Sequence, residues 1–152
     1  ILVSKDEAKE VRQVAMLDVH GDVSAFTGKN CIVYANQIIG DNFSVQANMM
    51  LIDKVVPAMA KAFRESENLP LAERMIQVLK AAQREGGDIR GKQSAALIVV
   101  GPDKVKELWK DKIIDLRVDD HEDPIAELER LLNVHHAYEF MNKGDLAVEH
   151  ND

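Results

Sequence analysis

The chain is poor in several things that would announce a function. It has one cysteine, Cys31, so no disulfide forms within it; that usage leaves the compartment open and leans towards the cytoplasm. Aromatic residues make up only 5% of the sequence. Positive charge is not in excess: 19 lysines and arginines stand against 26 acids, for a net charge of −7. The basic residues sit among acidic ones throughout, so no stripe is available for a nucleic acid, and an anionic membrane surface is disfavoured equally. No run of about 18 apolar residues occurs, so no membrane-spanning helix is expected.

Recognisable chemical motifs are missing as well. "GDIRG" and "GKNC" are isolated glycines, not a phosphate loop or a dinucleotide fingerprint. No G-x-S-x-G nucleophile elbow is present, and Ser24, Ser44 and Ser94 read as strand or strand-start hydroxyls. The histidines are His20, His121, His135, His136 and His150; none are paired at i, i+4, and the adjacent His135 and His136 diverge on a helix. "DDHEDP" lacks the alternating ligands and central glycine of a calcium loop. No metal and no cofactor are expected.

What is present is a soluble globular composition, 46% hydrophobic and 30% charged, in 152 residues, about one domain's worth. "EVRQVAMLDVHGDVSAFTG" holds two β-rich runs around a glycine turn, which predicts a hairpin from Val14 to Phe26. Cys31 to Ala35 is a candidate strand, Gly40-Asp41-Asn42 a turn, and Phe43 to Ala47 a strand. The period then changes. Ile52, Val55, Val56, Met59, Ala60 and Phe63 recur at three and four residues, and a second such pattern follows Pro70 and stops at Gly86-Gly87. These predict antiparallel helices near 53–66 and 70–85. "SAALIVV" reads as a buried strand, "PDKVKELWKD" as a short helix carrying Trp109, "KIIDLRV" as a strand, and Pro124 as the opening of a last helix. The order is that of an α+β protein, with helices packed on antiparallel strands. The packed domain is expected over 1–132, with 133–152 beginning a helical extension. The first residues carry no initiator methionine and no signal-peptide pattern, and both ends read as those of a fragment or a cleaved chain.

Two stretches are dense in polar chemistry. "DLRVDDHEDP" packs four aspartates, a glutamate and a histidine between a strand and a helix. Asp123, just before Pro124, is a natural helix cap, and the helix dipole favours the other acids. Capping leaves Asp120 and His121 over. An Asp–His contact orients an imidazole as a base, so both are expected to face a cleft between the sheets. In "NFSVQAN", Phe43, Val45 and Ala47 share one strand face, while Asn42, Ser44, Gln46 and Asn48 share the other. That amide row reads either as solvated surface or as the wall of a polar cleft.

Taken together, "RQVAMLDVHGDVSAFTG", "NFSVQANMM", "LAERMIQVLKAAQREGGDIRGKQSAALIVV" and "DLRVDDHEDPIAELERLL" resemble the uncharacterised bacterial and archaeal family DUF1028, over residues 10 to 135. "RGKQSAAL" and "LRVDDH" are its most distinctive elements here, and "AYEFMNKGDLAVEHND" looks like the start of the extension some members carry. The resemblance implies an N-terminal-nucleophile (Ntn) hydrolase-like αββα sandwich of antiparallel sheets between helix layers, with N-terminal strands missing from this chain. In such hydrolases a Thr, Ser or Cys at the start of the first strand attacks, with its own amine as base. Ile1 cannot do this, and no Gly-Ser, Gly-Thr or Gly-Cys pair suggests internal processing. The implied activity is amide hydrolysis of an unknown substrate, with the nucleophile on an absent segment. Asn48 is then the oxyanion candidate, Asp120 and His121 the groups at the reacting end, and Arg90 and Gln46 the substrate-binding pair. The alternative is a non-catalytic Ntn-like module that oligomerises. Expected partners are the missing N-terminal segment or further copies of the chain, because a truncated sheet exposes an edge.

Overall fold

The computed structural model describes residues 3–149; Ile1 and His150, both weighed above, lie outside them. Two short 3-10 turns, Val3–Lys5 and Lys9–Val11, lead into β1 (Gln13–Leu17) and β2 (Val23–Thr27). This pair is antiparallel with Val14 opposite Phe26, as the two apolar runs predict. Asp18 closes the turn: its Oδ1 accepts from the backbone N–H groups of His20 (2.8 Å) and Asp22 (3.0 Å). Gly21 supplies the φ of +88° that the turn needs.

The expected strand over Cys31 to Ala35 is irregular chain instead, and pairing starts later. Tyr34 there sits at φ +64°, a value that no strand accommodates. β3 (Asn36–Gly40) and β4 (Phe43–Ala47) form the second antiparallel pair, joined by Asp41-Asn42. Gly40 matters through its partner: a Cβ there would fall 1.9 Å from the Phe43 ring, which lies across it. β4 alternates as its sequence suggested, with Phe43, Val45 and Ala47 buried and Gln46 exposed.

The helix pair follows as α1 (Val55–Glu65) and α2 (Leu71–Arg84). Gly86 (φ +105°) and Gly87 (φ +61°) end α2, and the Gly87 N–H donates to the Ala82 carbonyl (3.0 Å). Phe43 packs on Phe63 of α1 with ring centroids 4.4 Å apart, and Arg74 of α2 lies 3.8 Å from the Phe63 centroid. The third strand pair is β5 (Ala95–Val100) with β6 (Lys112–Val118), antiparallel with an irregularity at Val99/Val100. Between them "PDKVKELWKD" forms only a 3-10 turn, Leu108–Lys110, and not the expected helix. Trp109 is 70% exposed, so its ring contributes little burial to hold a helix there. α3 runs from Pro124 to Glu149 without a break. Its packed part ends near His136, whose Nε2 meets Glu73 Oε1 of α2 at 2.9 Å; from Ala137 onward the helix is exposed.

The architecture is therefore α+β: three helices and three two-stranded antiparallel sheets among the described residues. Two core clusters hold it together. One joins Phe43, Val45 and Ala47 of β4 to Val55, Val56 and Ala60 of α1 and Val78 of α2. The other joins Ala72 and Ile76 of α2 to Leu97, Ile114 and Val118 of the β5–β6 pair and to Leu128 and Leu132 of α3. Helix α2 belongs to both and is the spine of the molecule. The β1–β2 pair is tied on by amides: Gln13 Nε2 donates to the carbonyls of Asn36 (3.2 Å) and Ala47 (3.1 Å), and Gln37 Nε2 to that of Ala25 (2.9 Å). No helix among the described residues is long and apolar enough to cross a membrane.

Candidate functional site

The glycines that stop α2 also turn the chain back past the end of β4. Leu51 N–H donates to the Gly87 carbonyl and Ile89 N–H to that of Met49, both at 2.9 Å, with Met50 bridged to Asp88. The turn that follows is built on one carboxylate. Asp88 Oδ1 accepts from the Arg90 backbone N–H (2.8 Å) and from Arg90 Nε (2.9 Å), while Oδ2 accepts from Nη2 (2.6 Å). A two-pronged guanidinium–carboxylate pair of this kind fixes direction as well as charge. The Arg90 guanidinium, helped by its backbone N–H, holds the Asp88 carboxyl down to about 2, and Asp88 in turn raises the Arg90 pKa. Gly91, at φ +107°, completes the turn.

Arg90 so held stands at a polar cavity of about 690 Å³, between the end of α2, the lead into β5 and the start of α3. Gln83, Lys92, Gln93, Ser94 and Asp120 share its wall. Lys92 Nζ lies 4.0 Å from Asp123 Oδ2, a loose pairing. Among the described residues, the side chains of Gln83, Gln93, Ser94 and Asp120 have no hydrogen-bonding or ionic partner within the chain. Donors and acceptors on one cavity wall, directed by an immobilised cation, are suited to a small polar molecule with a carboxylate.

The structure sorts the expected site residues into three places. Arg90 and Asp120 come together in this cavity. Gln46 does not join them: it lines a separate, mainly apolar groove and accepts from Ser44 Oγ at 3.1 Å. Asn48 lines neither, yet its Oδ1 is buried without a partner. Next to it Met49 is held at φ +61°, a left-handed conformation costing a bulky residue about 1–3 kcal/mol. Asn48 is linked to the cavity through the backbone, since Met49 is hydrogen-bonded to Ile89 in the Arg90 turn.

His121 corrects one expectation. Asp120 and His121 are both exposed, not facing a cleft between sheets, and the two side chains make no contact with each other. The His121 Nδ1 accepts the Asp123 backbone N–H (2.9 Å), and the His121 N–H donates to the Gln93 carbonyl (2.9 Å). Nδ1 is thereby committed to the loop as an acceptor. The physical reason is local: a loop this short uses the imidazole to close itself. Asp123 acts as the cap, with Oδ1 3.4 Å from the Ala126 N–H.

Gln83, Lys92, Gln93 and Ser94 were missed as site residues. Three of them lie within "RGKQS", and a polar run directly before a buried strand was the available signal. Gln83 sits on the last turns of an amphipathic helix, where an amide reads as ordinary surface. No cluster of three or more metal-ligating side chains occurs among the described residues.

Comparison with known proteins gives consistent results. A model described as a family of unknown function, DUF1028, matches residues 1–128. The chain is similar to the crystal structure of protein SPO2555 from Silicibacter pomeroyi, itself assigned to DUF1028, with 30% identity and a TM-score of 0.72. That likeness covers 87% of this chain and 55% of the other, so this chain spans little more than half the length of the protein it matches. No curated protein matches.

Proposed function

The chain belongs to the DUF1028 family of unknown function, and on that premise we propose that it is the substrate-binding part of an Ntn-type amidohydrolase with an αββα fold. The attacking group is supplied by polypeptide outside residues 1–152. One observation carries the reading: the cavity beside the locked Arg90–Asp88 pair has four polar wall groups, Gln83, Gln93, Ser94 and Asp120, with no partner in the chain. Gln93, Ser94 and Asp120 are solvent-exposed, so a ligand there takes the place of water on polar groups that no other part of the chain occupies. The Arg90 guanidinium takes a substrate carboxylate on its remaining N–H donors, and Asp120 accepts from a substrate N–H. The nucleophile adds to the amide carbonyl carbon, the C–N bond breaks, and the amine leaves with a proton; water then releases the acid. Among the described residues, Asn48 Oδ1 is the buried amide oxygen without a partner, and rotation of that amide presents either its oxygen or its NH₂. Asn48 does not line the cavity, so it acts as the oxyanion donor only where the added polypeptide extends the site towards it.

A second reading, a non-catalytic binding module, draws on a specific feature. Thr27 Oγ1 is bonded to Gln37 Oε1 (2.7 Å), Cys31 Sγ to the Arg12 carbonyl (3.4 Å) and His121 Nδ1 to the Asp123 N–H, and of the chain's hydroxyl and thiol groups only that of Ser94 lines the cavity among the described residues, with no base bonded to it. Both readings place the ligand in the same cavity, and turnover separates them.

The test uses N-acetyl amino acids, the simplest amides carrying a carboxylate. NMR titration of the chain is expected to shift the side-chain amides of Gln83 and Gln93. Arg90→Ala and Asp120→Asn are each expected to weaken binding tenfold or more, about 1.4 kcal/mol. Asp120→Asn removes an exposed group and is expected to leave stability within about 0.5 kcal/mol. Titration shifts confined to other surfaces defeat the cavity reading. Binding without amine release by a longer protein containing this chain leaves the module.

A further inference from the structure

Helix α3 changes sides partway along its length. It packs on its own domain through Leu128 and Leu132, buried in the core they share with the β5–β6 pair. A different apolar stripe runs through Val134, Ala137, Met141, Gly144 and Val148, spaced alternately by three and four residues. With about 3.6 residues per turn, it lies about half a turn round the helix from Leu128 and Leu132, so it faces away from both cores. Phe140 and Ala147 border it on one side, Tyr138 and Asp145 on the other. Tyr138, Phe140, Met141 and Val148 are each more than half exposed. Lys143 Nζ stands 6.0 Å from the Phe140 centroid and also pairs with Glu139, so it covers little of the ring. The DUF1028 match ends at residue 128, before the stripe begins. An apolar stripe of this length on an exposed helix marks a surface that another element covers.

We propose that the occupant is the same stripe of a second copy of the chain, packed antiparallel about a two-fold axis that passes between Asn142 and Lys143. In that orientation the stripe is complementary to itself. Met141 of each copy falls opposite Gly144 of the other, Val148 opposite Ala137, and Phe140 beside Ala147, so bulky side chains meet small ones. Tyr138 falls at the height of the other copy's Asp145 on the same border, where its hydroxyl donates to the carboxylate. Parallel pairing instead sets Gly144 on Gly144 and Ala137 on Ala137, which leaves voids, and lays Asp145 beside Phe140. Gly144 gives a separate reason for a partner. A Cβ there would meet nothing within 4 Å, so packing within the chain does not call for a glycine that costs a helix interior about 1 kcal/mol. The other copy's Met141 does call for it. The two domains do not collide, because each lies on the far side of its helix from the stripe. The polar face carries Glu139, Lys143 and Glu149, an acidic excess that disfavours an anionic bilayer as the occupant. The inference is independent of the hydrolase reading, since its test reads association and neither ligand binding nor turnover.

Sedimentation of the 152-residue chain over a rising concentration series is expected to show a monomer–dimer equilibrium. Met141→Glu and Gly144→Leu are each expected to weaken the dimer roughly tenfold or more, with the domain folded, because neither residue belongs to a core. Leucine is the better helix former, so fraying does not explain a loss caused by Gly144→Leu. Glu139→Gln, on the far face, is expected to change nothing. Spin labels in a Cys31→Ser background report the direction of pairing: labels at Asn142→Cys flank the axis and are expected to lie roughly 10 Å closer together than labels at Glu149→Cys. A longer protein containing this chain is expected to dimerise in the same way. Four results overturn the inference: a monomer at every concentration; a dimer indifferent to both Met141→Glu and Gly144→Leu; equal label separations at the two positions, which means parallel pairing; or a longer protein that stays monomeric because its own later segment covers the stripe.

Discussion

Two openings flank helix α2, and they are unfinished in opposite ways. The cavity at its C-terminal end has polar walls, several of whose groups have no partner within the described residues and face solvent. The groove along β4 and β5 has apolar walls whose burial is not complete. An unpaired polar group in a cavity is stabilised by a small molecule or water, which can bring donors and acceptors at any angle. An apolar floor is stabilised by any apolar surface that excludes water from it, with no demand on angle. The two also differ in charge: the cavity's cation is paired with Asp88 at an exposed position, whereas the groove is lined by half-exposed apolar residues, Met16 and Leu71.

The sharpest way to break this comparison is through Leu97, which is 1% exposed and belongs both to the core and to the bank of the groove. Leu97→Ala is expected to cost about 2–5 kcal/mol in urea unfolding. Leu128→Ala, in the same cluster but away from the groove, is expected to cost a similar amount while leaving the groove's lining intact. A loss below about 1 kcal/mol for Leu97→Ala, at the low end even of Ile→Val changes, shows that the groove can be altered without touching the core.

Next in size is the cap. Asp123→Ala is expected to destabilise the protein by about 1 kcal/mol or somewhat less, since the bond to Ala126 is long at 3.4 Å. N-acetyl amino acid binding in the cavity is expected to persist. Loss of binding together with stability makes the start of α3 part of the polar site and not merely its neighbour.

The smallest effect is electrostatic. Asp88 has its pKa lowered from 3.8 to about 2 by Arg90. A lowered carboxylate pKa stabilises the folded state above the ordinary value, and that contribution is lost as pH falls from near 4 through 2. The pair is solvent-screened, so the contribution is expected to stay under about 1 kcal/mol. Arg90→Gln is expected to flatten the pH dependence of stability in that window and to leave the groove unaffected. An unchanged acid limb in the variant means that the turn does not depend on the pair.

Much of the fold was legible because periodicity is a local signal. The alternation in Phe43–Ala47 and the three-and-four spacing from Ile52 to Phe63 each follow from burying one face, and both elements form where the pattern puts them. The failures share one cause. Cys31 to Ala35 and the Trp109 segment have the composition of a strand and a helix, but Ile32, Val33, Tyr34 and Trp109 are exposed, and composition with so little burial leaves irregular chain or a single 3-10 turn. Of the candidate site, Arg90 and Asp120, 30 positions apart, line one cavity; Arg90 is indicated by the family resemblance and Asp120 by its place between a strand and a helix, and neither signal pairs them. His121 read as a chemical group because a histidine beside an aspartate has two possible employments, and only the loop geometry shows that its Nδ1 closes on Asp123.

By itself the sequence determined the hairpin of β1 and β2, the strands β4, β5 and β6, the three helices, where glycine and proline end or begin them, and that Asp123 would cap the last helix. These depend on a residue and its near neighbours, through side-chain periodicity and backbone torsion. Only the tertiary structure decided that the strands form three separate pairs, that α2 joins both cores, that Gln83 from a helix meets Gln93 and Ser94 from a loop, and that Gln46 and Arg90 face different openings. Those outcomes depend on which surfaces meet across long stretches of chain, and no local pattern encodes the partner of a surface.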